Sequence, residues 1–160
     1  MKNISIQTNF SIFENVNDLP PAVQNLMQKA VDVRKNAYAP YSNFRVGAAI
    51  LLDNDEIILG SNQENAAYPS GLCAERVAIF YAGANYPDAK IKIIAISATS
   101  DSKINTTPIP PCGSCRQSIA EYEQRQETPI ALYFMGETGE IAMSKSVKNL
   151  LPFSFDKNFL

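Results

Sequence analysis

Cys73, Cys112 and Cys115 are the only cysteines in a chain without histidine. The last two form P-C-G-S-C behind Pro110, and the first opens C-A-E-R. A structural zinc ion normally closes its tetrahedron with four ligands drawn from Cys and His, and this sequence offers three of those. Three protein ligands with an open fourth position is the catalytic arrangement, since the open position holds a water. A carboxylate beside that water can move its protons. Glu75 stands two residues after Cys73. The pattern therefore points to a zinc hydrolase with one Zn²⁺ per chain, Cys73, Cys112 and Cys115 as ligands, and Glu75 as acid/base.

Three thiolates around Zn²⁺ sum to one net negative charge, which weakens the ion as a Lewis acid. Arg76 and Arg116, each adjacent to a candidate site residue, are the side chains available to offset it. Other readings fit the same residues. A lone C-x-x-C serves structural zinc sites and thioredoxin-like redox pairs, and Cys73 then becomes a small buried hydrophobe. A non-catalytic zinc scaffold would take Asp or Glu as fourth ligand. Glu75 alone reads as a solvated residue that favours the positive end of a helix.

The positioning elements follow from pattern. Asp18 is placed to cap a helix with Pro20 and Pro21 in its first turn, and that helix must end before Pro40. The apolar run Arg45–Leu52, the polar turn 53–56 and the run Ile57–Asn62 predict a hairpin with a buried first strand. Pro69, Ser70 and Gly71 break the chain, and a helix follows from Cys73 to about Ala84. Ile91–Thr99 is a strand, Ser100–Pro111 a polar loop, and Gly113 to about Gln124 a helix. Pro129–Met135 and the shorter 140–143 complete the strands. Residues 1–17 form an extension that either packs on the surface or adds an edge strand. The order predicts an α/β fold of three layers, α/β/α, around a mixed five-stranded sheet. Cys73 and Cys112 each fall where a loop enters a helix, and the helix dipole there lowers a thiol's pKa.

Bulk composition bounds the rest. A length of 160 residues favours a single domain, and 46% hydrophobic residues supply a core. The net charge is −2 and no Lys/Arg cluster occurs, which argues against a nucleic-acid partner. No apolar stretch is long enough for a membrane span, and the polar first residues lack a signal-peptide core. The cytoplasm, where thiols stay reduced, is the expected location.

C-A-E with P-C-G-S-C downstream matches the zinc-deaminase signature in its three-cysteine form. The chain resembles the cytidine deaminases of the small homotetrameric type. Y-S-N-F-R-V-G-A-A-I-L (41–51), G-S-N-Q-E-N-A-A-Y (60–68), C-A-E-R (73–76), P-C-G-S-C-R-Q (111–117) and L-L-P-F-S-F (150–155) carry the resemblance in order. It implies a family core over 18–155 and deamination of cytidine and 2′-deoxycytidine in pyrimidine salvage. It further implies substrate contacts from Phe44, Asn62, Glu64 and the backbone of Ala74. Phe155 would stack on the base in a neighbouring subunit's site, Tyr68 would lie near a subunit boundary, and Arg76 would tune the charge at zinc. Without the resemblance, Phe44 and Phe155 fit a core, and Asn62 and Glu64 fit a turn. A deaminase of another small aminopyrimidine, such as a blasticidin-type antibiotic, is the alternative within the superfamily.

Overall fold

Phe44–Leu52 is apolar almost throughout because its strand is covered on both faces. The structure, a computed structural model, describes residues 1–160. Its strands are β1 (Ser11–Phe13), β2 (Phe44–Leu52), β3 (Ile57–Ser61), β4 (Ile91–Ser100), β5 (Ala131–Met135) and β6 (Ile141–Ser144). Its α-helices are α1 (Pro21–Arg34), α2 (Ala74–Asn85) and α3 (Gly113–Gln126). The strands form one sheet in the order β1-β6-β5-β4-β2-β3. Only the β4–β5 pairing is parallel, so the sheet is mixed.

Alternation along the strands builds two cores. Ala48, Ile50, Ile94, Ile96, Leu132 and Phe134 face α2 and α3. Ala49, Ala95, Tyr133 and Met135 face α1, which brings Val23, Leu26, Met27 and Ala30 at helical spacing. The expected three layers are present. The sheet has six strands rather than the five expected, because the extension supplies β1. Its Ser11, Ile12 and Phe13 pair antiparallel with Met143, Ala142 and Ile141. Three residues give too short an alternation to announce a strand in sequence.

The start of α1 also differs from expectation. Asp18 does not cap it. Asn15 and Asp18 close a capping box on the short 3₁₀ turn Val16–Asp18, and α1 begins after Pro20, where the missing proline N–H costs nothing. No helix is long and apolar enough to cross a membrane.

The topology decides what meets what. β3 and β4 both run antiparallel to β2, so they run the same way as each other, and β5 is parallel to β4. α2 connects β3 to β4, and α3 connects β4 to β5. Both helices cover the same sheet face. Their N-termini therefore arrive together at the carboxyl ends of β3 and β4, the edge where open α/β sheets take ligands.

Candidate active site

Cys73 is the N-cap of α2 and Cys112 the N-cap of α3. Neither side chain caps its own helix, which leaves both sulfurs directed between the helices. Cys115 follows one turn into α3 and is fully buried. The Sγ of Cys112 lies 3.7 Å from that of Cys73 and 3.5 Å from that of Cys115. All three sulfurs lie within 4.8 Å of one another, close enough to hold one metal ion. A tetrahedral zinc with Zn–S bonds of about 2.3 Å keeps its sulfurs about 3.8 Å apart.

Hydrogen bonding from Cys115, with help from Arg76 and Cys112, lowers the Cys73 thiol to about 5 against the opposing effect of burial. The same contact, together with burial and the Glu75 carboxylate, raises Cys115. Thiolates this close repel one another, and a cation among them offsets that repulsion. The Arg76 guanidinium lies 4.0 Å from the Cys73 sulfur. Arg116 is turned elsewhere: it donates to the carbonyls of Pro111 (2.8 Å) and Leu150 (2.9 Å). It ties the approach to Cys112 to the C-terminal tail rather than facing the sulfurs.

Glu75, in the first turn of α2, is only 4% exposed, and its Oε2 has no hydrogen-bond partner. Burial, reinforced by the negative charge of Cys73, raises its carboxyl to about 7. A carboxyl titrating near neutrality can both take and give a proton. Without a partner for Oε2, this is a costly placement for a residue with no ligand to meet.

Cys73, Glu75 and Cys112 open on a cavity of about 790 Å³. Val46, Ile96 and Ala98 supply apolar wall beside Phe44, and Asn62 and Glu64 supply polar groups. Asn62 Oδ1 accepts from Val46 N (2.7 Å), and its Nδ2 donates to Phe44 O (2.9 Å). Glu64 Oε2 accepts from the backbone N–H groups of Tyr41 (2.9 Å) and Ser42 (3.2 Å), and its Oε1 from the Ser42 hydroxyl. The Ser42 hydroxyl, foremost among these, holds Glu64 below its ordinary carboxylate value. Tyr41 and Tyr68 meet within the cavity lining with ring centroids 6.1 Å apart. Ala74 is buried at the first position of α2, where a backbone N–H lacks an intrahelical partner. Phe155 lies outside this cavity: it is 60% exposed, stacks on Phe159 at 5.8 Å, and its carbonyl accepts from Gln117. Sequence reasoning overlooked Ser42, Tyr41, Ile109 and Pro110 as lining residues. The Y-S-N-F block held the signal for the first two.

The family model described as "Cytidine and deoxycytidylate deaminase zinc-binding region" matches residues 21–130. The chain belongs to this family. A cytidine deaminase from Halalkalibacterium halodurans is 39% identical over 132 residues, 82% of this chain and 92% of that protein. One from Sporosarcina psychrophila is 37% identical over 138 residues, 86% of this chain and 94% of that protein. The crystal structure of cytidine deaminase from Burkholderia pseudomallei aligns with a TM-score of 0.71 at 36% identity, covering 82% of this chain and 97% of that one. The zinc that the family name implies fits this donor set. Three soft sulfur ligands converge at the spacing of a tetrahedral ion, between two helix N-termini, with an unpartnered buried carboxylate beside them.

Proposed function

We propose that the protein hydrolyses cytidine and 2′-deoxycytidine to uridine and 2′-deoxyuridine, releasing ammonia, in pyrimidine salvage. The observation that carries this reading is Glu75: a buried carboxyl with a free Oε2 beside three convergent sulfurs at the head of a cavity. Cys73, Cys112 and Cys115 would hold zinc, which when bound supplies a Lewis acid that activates water. Glu75 would take a proton from a water at the head of the cavity, deliver one to the ring nitrogen of the base and assist departure of the amino group as ammonia. Its raised carboxyl suits both halves of this exchange. Arg76 offsets the surplus negative charge at the sulfurs.

Phe44 packs against the pyrimidine, Asn62 and Glu64 face the sugar hydroxyls, and the backbone of Ala74 meets the base edge. The cavity favours a nucleoside over a nucleotide. Its carboxylates are Glu64 and Glu75, and its only cation, Arg76, sits against the Cys73 sulfur. A 5′-phosphate would find no free positive partner there. Residues 1–160 would form a single deaminase domain with 18–155 as its core, working in the cytoplasm where the three thiols stay reduced. Exposed Phe80 and Tyr81 on α2, with the aromatic tail, support assembly into a homotetramer in which Phe155 enters a neighbour's site.

Ultraviolet absorbance of cytidine incubated with zinc-loaded protein, beside Glu75→Gln, tests the reading. Loss of the cytidine band with wild type alone is expected. No change with either protein, in samples carrying one zinc per chain, would overturn it.

A further inference from the structure

The Ser42 hydroxyl stands between two residues assigned to substrate. It donates to Glu64 Oε1 and accepts from the backbone N–H of Phe44 at 3.0 Å. Only a group that donates and accepts at once can make both bonds, and a hydroxyl is the smallest side chain that does so. The surrounding turn is tight. Asn43 adopts φ 53°, in the left-handed region, which asparagine tolerates better than most residues. Its N–H donates to Ala39 O at 3.0 Å, and its carbonyl accepts from Asp101 N at 2.9 Å. Both bonds hold the backbone at Asn43, next to Ser42, and the Ser42 N–H is itself held by Glu64 Oε2 at 3.2 Å, so the hydroxyl has little freedom to leave its partners.

We propose that Ser42 is a positioning residue that joins the sugar-facing carboxylate of Glu64 to the base-facing Phe44, so that sugar recognition and base placement act as one unit. The proposal rests on the reading of the cavity as a nucleoside site. Glu64 already accepts two backbone N–H bonds through Oε2. The Ser42 bond to Oε1 fixes the rotation of the carboxylate about that anchor and leaves the one remaining lone pair, on Oε1, in a set direction for a sugar hydroxyl. Removing the hydroxyl frees Oε1 and strips Phe44 N–H of its partner, while the contacts among the sulfurs of Cys73, Cys112 and Cys115 and the burial of Glu75 do not involve it. The loss should therefore fall on substrate binding and on discrimination by the sugar, and spare the chemical step.

The test compares kcat and KM for cytidine and for 2′,3′-dideoxycytidine, which lacks the 2′- and 3′-hydroxyls and keeps the 5′-hydroxyl, in zinc-loaded wild type, Ser42→Ala and Ser42→Thr. Wild type is expected to prefer cytidine. Ser42→Ala should raise KM for cytidine about tenfold, the size of one hydrogen bond to a charged group, with little change in kcat. The preference over the dideoxynucleoside should shrink by a similar factor, and Ser42→Thr, which keeps the hydroxyl, should restore it. Absence of cytidine turnover in wild type overturns the nucleoside reading and this proposal together. Turnover in wild type with an unaltered KM and preference in Ser42→Ala overturns this proposal alone. So does an equal loss on both substrates, the mark of a merely structural role. Should Ser42→Ala fail to fold, Ser42→Cys keeps the size and weakens the bond, and the same change or constancy in preference decides.

Discussion

The sulfurs of Cys73 and Cys112 lie 3.7 Å apart although they stand 39 positions apart in the chain. The whole of α2 and β4 lies between them. Their meeting is a consequence of topology. Two successive crossovers on one sheet face place the N-termini of α2 and α3 side by side, and each cysteine is the N-cap of its helix. Cys112 is the exposed member of the cluster.

That exposure makes the metal readable through thiol chemistry. Bound zinc should protect Cys112 from alkylation by iodoacetamide, and a chelator should release it. Mass spectrometry of the modified peptide, with metal content measured on the same sample, gives both quantities. Cys112→Ser should lose the zinc of the wild type, since a neutral hydroxyl is a poor replacement for a thiolate ligand. Alkylation of Cys112 at the same rate with and without chelator would count against the three-sulfur site.

Much of this arrangement was legible in the sequence. The buried strands β2 and β4 declared themselves as continuous apolar runs, and the turn residues around them fixed the hairpin. The cysteine count and the position of Glu75 named the reactive cluster, which the fold then brings together. What escaped was short or relational. β1 has three residues and gains its identity only by pairing with β6. Asp18 has the right chemistry for a helix cap but serves the preceding 3₁₀ turn, because Pro20 and Pro21 delay α1. Arg116 sits next to a cysteine in sequence, yet its helical position points it at the Pro111 and Leu150 carbonyls. Ser42 is marked in sequence only by its place in the Y-S-N-F block, and its position between Glu64 and Phe44 appears only in three dimensions.

Glu64 should make stability depend on acidity. Its hydrogen bonds, that from Ser42 first, lower its pKa in the folded protein relative to the ordinary value of 4.5. A depressed carboxyl stabilises the fold above the unfolded value, and that contribution is lost as pH falls through the folded value. Denaturant midpoints measured from neutral pH down to pH 3 should thus fall more steeply below 4.5 in wild type than in Glu64→Gln. Parallel curves for the two proteins would show that the contacts of Glu64 leave its titration unaltered.

The added strand should matter to stability and not to chemistry. β1 stands at one edge of the sheet, whereas the candidate site forms at the ends of β2, β3 and β4. Phe13 packs on Tyr133 with ring centroids 6.3 Å apart and covers part of the α1-side core. Deleting residues 1–13 exposes that core and bares the edge of β6, an invitation to aggregation. The truncated protein should melt at a lower temperature and exchange the β6 amides faster, with kcat/KM for cytidine unchanged. A loss of turnover without a loss of stability would place the extension in the site instead.

Gly60 offers the sharpest link between packing and the reactive residues. It lies in β3 directly beneath the first turns of α2. A Cβ at this position would stand 2.5 Å from the carbonyl oxygen of Ala74, 2.7 Å from the N of Ala78 and 3.0 Å from the Cβ of Ala78. The nearest two of these are backbone atoms, which cannot swing aside as a flexible side chain would, so Gly60→Ala must push α2 off the sheet. The displaced turn carries Cys73 and Glu75, and the shift moves them away from Cys112 and Cys115 on α3, which has no reason to follow. Overpacking of this kind costs about 1–3 kcal/mol. Gly60→Ala should therefore lower the denaturation midpoint and, in the folded fraction, weaken zinc binding as measured by competition with a chromophoric chelator. A control at Gly113, where a Cβ meets nothing within 4 Å, should bind zinc as wild type does. Equal zinc affinity in Gly60→Ala and wild type would mean that the cysteine cluster does not depend on the close approach of β3 and α2.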